Sequence, residues 1–120
     1  MKEVVLYFGA EGALPPIRRA MSVRRVALRV VPPQEYAQPL AALAGAKDCA
    51  RTQDVCTAAA FEEPMLLFCG FSAARLDLAL NGLRREGLSV PLKAVLTASN
   101  RSWTPLALHD ELVREHAALG

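Results

Sequence analysis

The sequence predicts an α/β fold, a three-layer α/β/α sandwich around a four-stranded, mainly parallel sheet. Three observations lead there. Two short apolar runs, Glu3 to Phe8 and Pro64 to Phe68, each lead into a glycine and read as strands with both faces covered. Strand-like and helix-like patterns then alternate along the whole chain, the order that parallel strands with right-handed crossovers require. Finally, the composition is globular: 120 residues, 52% hydrophobic and 22% charged with a net charge of +2, far from the region where chains stay disordered. A chain this long forms one domain over residues 1–120 and buries roughly 65% of its unfolded surface, so it needs neither disulfide nor metal to be stable.

The first strand is the run Glu3 to Phe8. Pro15-Pro16 opens a first helix, because proline is tolerated in the first turn, and Ile17, Ala20 and Met21 form its apolar stripe. From Arg25 to Val31 polar and apolar residues alternate, as in a half-exposed edge strand, which Pro32-Pro33 ends. A second helix is expected over Glu35 to Ala44, with Gly45 as its C-terminal cap, although Pro39 could delay its start. The stretch from Ala46 to Ala60, about fifteen residues without pattern, is expected to be a mobile loop. Pro64 to Phe68 is the third strand. Ser72 caps a third helix with Leu76, Leu80 and Leu83 on one face, and Glu86-Gly87-Leu88 closes it. Val90 to Thr97 reads as a fourth strand, confined by Pro91 to an edge. Thr104 and Pro105 start a fourth helix, with Leu108, Leu112 and Leu119 along a face. The two most apolar runs belong at the centre of the sheet, which gives the order 2-1-3-4. Residues 4–9 (VVLYFG) and 65–70 (MLLFCG) look alike and hint at two similar halves.

In an open parallel sheet a ligand binds beyond the carboxyl ends of the strands. This topology would bring three turns together there: Gly9 to Gly12, Cys69 to Ser72, and Thr97 to Thr104. The last is the densest group of side-chain donors and holds the single tryptophan, Trp103. At a helix mouth it could hold an anion through backbone amides and Arg101. Equally, Asn100 and Ser102 could serve the turn itself while Thr104 caps the helix and Trp103 plugs the core. Cys69 precedes a helix N-terminus, where a thiolate would be stabilised, or is a small buried hydrophobe. Lys93, in an apolar strand, either snorkels to solvent or, if buried, needs a carboxylate partner or a depressed pKa. The glycine turn after the first strand lacks the full phosphate-binding pattern. His109 and His116 stand seven residues apart, too far for a shared metal, so no metal and no cofactor are expected. The cysteines Cys49, Cys56 and Cys69 match no metal knuckle or even disulfide framework and are expected to be reduced.

The segments Pro64-Met65-Leu66-Leu67-Phe68, Gly70-Phe71, Leu92-Lys93-Ala94-Val95-Leu96-Thr97, Asn100-Arg101-Ser102-Trp103-Thr104, Glu111-Leu112 and Glu115-His116 resemble a bacterial family known only as a domain of unknown function. The resemblance covers roughly residues 64–116. It implies no activity, cofactor or partner. It does imply that Lys93, Thr97, Asn100, Arg101 and Trp103 belong to a family motif, in which Ala98 stands where proline is common.

Three functions compete. The first is a non-enzymatic binding or regulatory module that recognises a protein partner or a small anionic ligand through the Thr97–Thr104 loop, since Arg and Trp are enriched at binding hot spots. The second is an enzyme, either a thiol redox protein using Cys69 or a transferase acting on an anionic small molecule. The third is nucleic-acid binding through Arg18, Arg19, Arg24, Arg25 and Arg29; no aromatic residues are interleaved for base stacking, which speaks against it. No apolar run approaches the roughly 20 residues of a membrane span. The start, Met1-Lys2-Glu3-Val4, lacks a basic leader with a cleavage site, so a cytoplasmic location without membrane contact is expected. Either edge strand could pair across a two-fold axis into a dimer.

Overall fold

In the computed structural model, which describes residues 1–119, strands β1 (Val4–Phe8), β2 (Leu28–Val30), β3 (Met65–Cys69) and β4 (Leu92–Val95) form one sheet in the order β2-β1-β3-β4. Helices α1 (Leu14–Val23), α2 (Leu40–Leu43), α3 (Ala73–Arg85) and α4 (Pro105–Leu119) follow the strands in alternation. The expected strand order is therefore observed, and so is the placing of the two apolar runs at the centre. Their alternate side chains feed two separate cores. Val5, Tyr7, Leu66 and Phe68 join α1 and α3 on one face; Leu6, Phe8, Met65, Leu67 and Cys69 join α2 and α4 on the other. Each fully buried leucine or phenylalanine in these clusters contributes roughly 1.5–3 kcal/mol.

The sheet is mixed, which corrects the expectation of a mainly parallel one. β1 pairs with β2 and β3 with β4 in parallel, but β1 and β3 meet antiparallel, with Leu6 opposite Leu67. The reason lies in the β2–β3 connection. A single pass across the sheet would return a parallel strand. Here the chain passes twice. It first runs back through α2, whose Leu43 carbonyl accepts from Arg29 Nη1. Residues 46–63 then return, with the Cys56 amide on the Gln34 carbonyl at 3.1 Å and the Phe61 ring stacked on Tyr36 at 4.4 Å. The third strand therefore enters from the end at which the second one left.

Two similar halves result, each a parallel β-α-β unit, meeting at their first strands so that the sheet reads the same from either edge. The likeness of residues 4–9 and 65–70 extends to backbone detail. α1 and α3 both end in the same paired closure, Val26 N–H to Met21 O and Leu88 N–H to Leu83 O, each at 2.9 Å. Gly87 supplies the left-handed residue in one and Arg25, at φ 55°, in the other. Because Arg25 belongs to that closure, β2 starts only at Leu28, later than the alternation from Arg25 suggested.

The helix expected over Glu35–Ala44 is reduced to the four residues of α2. Pro39 cannot continue a helix behind it and holds Gln38 out of helical geometry, so Pro33–Glu35 makes only a separate 3-10 turn. Gly45, at φ 88°, does close α2, and Ser72 and Thr104 do cap α3 and α4 through their hydroxyls, at 3.2 Å to the amides of Arg75 and Ala107. The 46–60 segment has no regular structure. The buried Gln38 side chain ties it down, accepting from the Thr52 amide at 2.7 Å and donating to the Thr52 and Asp54 carbonyls at 2.9 and 3.0 Å.

Candidate functional site

An antiparallel junction at the centre of the sheet separates the three turns that were expected to meet. The turn after β1 lies at one end, against Pro64: a Cβ on Gly9 would come within 3.1 Å of the Pro64 Cα. The turns after β3 and β4 lie at the other end. There Gly70, at φ +74°, sits so close to the N-terminal strand that a Cβ would be 2.9 Å from the Met1 carbonyl oxygen. The candidate site is therefore the Thr97–Thr104 turn without the glycine turn.

Within this turn the polar side chains are largely engaged in building it. β4 is an edge strand whose residues alternate between bonding inward to β3 and pointing outward; Leu96 N–H bonds Phe68 O, so Lys93, Val95 and Thr97 direct their backbone groups outward. The Asn100 carboxamide occupies that outer side. It accepts from the Thr97 amide at 2.8 Å and donates to the Val95 carbonyl at 3.0 Å, the two bonds a peptide group of a neighbouring strand would make. Thr97 Oγ1 accepts from the Asn100 amide at 3.2 Å in return. One side chain thus stands in for a fifth strand over Val95–Thr97 and closes that end of the edge to pairing, leaving the part before it open.

The next residues serve α2. A helix begins with unpaired amides, and those of Leu40 and Ala41 are satisfied by the backbone carbonyls of Trp103 at 2.8 Å and Arg101 at 2.9 Å. This joint, made by two accepting carbonyls, had no signature in the sequence, because residues of any type could supply them. Arg101 extends to an ion pair with Asp48, fastening the turn to the 46–60 segment. Thr104 caps α4.

Trp103 is the residue left over. It belongs to neither core cluster and is 37% exposed; Leu106, three residues further along in the first turn of α4, is 36% exposed. Trp103 does not plug the core. Its backbone is nevertheless fixed on both sides, the amide donating to the Asn100 carbonyl at 2.9 Å and the carbonyl accepting from Leu40.

The other candidates lie apart. Cys69 is fully buried, its thiol donating weakly to the Leu67 carbonyl at 3.7 Å, and burial pushes its pKa up to about 12. A thiol held protonated at neutral pH is no nucleophile. Lys93 is exposed at the residue level, with its ammonium bonded to the Val90 carbonyl; partial burial, and secondarily the charge of Arg84, holds its pKa below the ordinary lysine value. Of the arginines, Arg24 lies across Gly82 and donates to the Ala20 carbonyl at 2.9 Å, while Arg29 is bonded to Leu43 and Glu35. Among the described residues no group of three or more His, Cys, Asp and Glu is placed to hold a metal, and no helix is long and apolar enough to cross a membrane.

Sequence reasoning missed the aromatic stack around Tyr36. Its ring stacks on Phe61, which stacks in turn on His109 at 3.8 Å, and the His109 ring lies 3.3 Å from the Glu63 carbonyl. These residues are far apart in sequence, and no local pattern links them.

Residues 64–119 match the model of a family described as Domain of unknown function (DUF3783), in agreement with the resemblance drawn from the motifs. The match covers the second β-α-β half with α4 and leaves the first half outside. No curated protein and no solved structure matches the chain.

Proposed function

We propose that this chain is a non-enzymatic binding module that engages a protein partner through Trp103 and Leu106. One observation carries the reading: an exposed indole on a backbone bonded from both sides. Such a residue loses little freedom on association, which is why rigid aromatics dominate binding hot spots. Thr97, Asn100 and Arg101 then act as the platform that holds Trp103 in place rather than as contacts. The enzymatic alternatives have less behind them. A thiol route would need Cys69 at the surface as thiolate, and a transferase would need Arg101 free to bind an anion, whereas it is paired with Asp48. The reading takes the fold as a three-layer sandwich, with α1 and α3 outside one face of the sheet and α2 and α4 outside the other, and places the protein in the cytoplasm, in keeping with three free cysteines.

The test is affinity capture with cross-linking mass spectrometry, comparing the wild type with Trp103→Ala and Leu106→Ala. Both positions are exposed, so each variant should stay within about 1 kcal/mol of wild-type stability. Partners cross-linked near α4 should be lost with both variants and retained with Arg18→Ala. An unchanged partner set with folded variants would remove the proposal.

A further inference from the structure

A second surface lies on the opposite face of the sheet, where β4 is only partly covered by α3. The groove between them has two connected parts, about 180 and about 260 Å³, which share Leu80 and Lys93. Its floor is apolar, formed by Phe68, Leu76, Leu80 and Leu83, and Val95 beside it is 40% exposed. Its rim is cationic. Lys93 and Arg84 both line it, no carboxylate does, and among the described residues neither forms a salt bridge.

The internal likeness of the two halves shows that packing does not demand a cation here. Leu28 on β2 occupies the place of Lys93 on β4: it pairs with Val5 as Lys93 pairs with Leu66, and it packs half-buried beneath α1. The place in the first half thus holds leucine, while the family-matching half carries a lysine whose charge is disfavoured by its surroundings and whose ammonium is bonded to the Val90 carbonyl but to no carboxylate. An ammonium in that state gains from a carboxylate brought to it. Beside it the backbone groups of Lys93 and the Val95 amide point outward from the sheet edge, up to the point where Asn100 closes it.

We propose that this groove receives a short extended peptide segment which adds to the β4 edge, with an acidic residue beside Lys93 and Arg84 and, two positions away, an apolar residue over Phe68, Leu76 and Leu80. Spacing of two follows from the pleat, since side chains on one face of a strand recur at that period. Edge bonds supply affinity and the two side chains supply selection. The site is separate from Trp103 and stands whether or not that surface binds.

The probe is the heptapeptide acetyl-Thr-Glu-Thr-Leu-Thr-Glu-Thr-amide, whose symmetry serves either strand direction, titrated into the full ¹⁵N-labelled chain. Saturable amide shifts confined to Phe68 and its neighbours in β3 and to residues 76–95 are expected. Affinity should fall about tenfold with Lys93→Leu, and equally when both glutamates of the peptide are glutamine. Lys93→Leu should fold, since its counterpart is Leu28; should it fail to, the glutamine peptide makes the same comparison on the wild-type chain. Three results would overturn the proposal: no saturable shift, equal affinity for the glutamate and glutamine peptides, or identical shifts and affinity with octanoate, which carries carboxylate and hydrocarbon but no peptide backbone. Shifts that follow protein concentration without peptide would assign the edge to a second copy of the chain instead.

Discussion

Asn100→Ala tests the assignment of the turn as a structural platform. The carboxamide makes two hydrogen bonds, 2.8 Å to the Thr97 amide and 3.0 Å to the Val95 carbonyl. A hydrogen bond of this kind is worth about 0.5–1.5 kcal/mol net, and the half-exposed setting lets water recover part of it. The expected loss is therefore about 1–2 kcal/mol, or roughly 4–8 °C in Tm for a domain of this size. Urea denaturation should show a lower midpoint with an unchanged slope, since the surface exposed on unfolding hardly differs. Asn100→Asp sharpens the experiment. It keeps the acceptor for Thr97 but sets a carboxylate against the Val95 carbonyl, so at neutral pH it should be no more stable than the alanine variant. Light scattering adds a second readout, because an unshielded β4 edge favours association. If Asn100→Ala matches the wild type within about 0.3 kcal/mol, a margin well under one such bond, the stand-in role is refuted.

Two further predictions concern titrating groups. Cys69 should resist a thiol reagent in the native protein at neutral pH and react only on unfolding, while the half-buried Cys49 and Cys56 react first; three comparable native rates would contradict the raised pKa and the burial behind it. Arg75 holds Glu3 through bonds of 2.7 and 3.0 Å, and this hydrogen-bonded pairing lowers the Glu3 pKa from its ordinary 4.5. A lowered folded-state value means that the stabilisation is complete above 4.5 and disappears as the pH falls through the lowered value. Glu3→Gln should accordingly cost about 0.5–1 kcal/mol at neutral pH and nothing in strong acid; a difference independent of pH would show that the pair contributes packing rather than charge.

The candidate site was legible as a place but not as a mechanism of folding. Its residues stood out because Asn, Arg, Trp and Thr are dense there, and the matched family segment contains them all. What each does depends on partners from elsewhere: Asp48 for Arg101, the α2 amides for the carbonyls of Arg101 and Trp103, and an open sheet edge for Asn100. Lys93 was visible as a lysine in an apolar strand. Only the strand pairing shows that its counterpart in the first half is Leu28.

Features that depend on neighbours in sequence were determined by the sequence alone. Apolar runs made β1 and β3 the central strands, side-chain hydroxyls capped α3 and α4, and Gly45 and Gly87 closed α2 and α3, because caps and periodicities act within a few residues. The direction of β3 was decided by the tertiary structure. A strand carries no mark of its direction; that depends on whether the preceding connection crosses the sheet once or twice. Here Gln38 clamping Thr52 and Asp54, and Phe61 stacking on Tyr36, hold the second crossing in place. Those contacts span more than a dozen residues, beyond the reach of any local pattern, and they divide the strand-end turns between the two ends of the sheet.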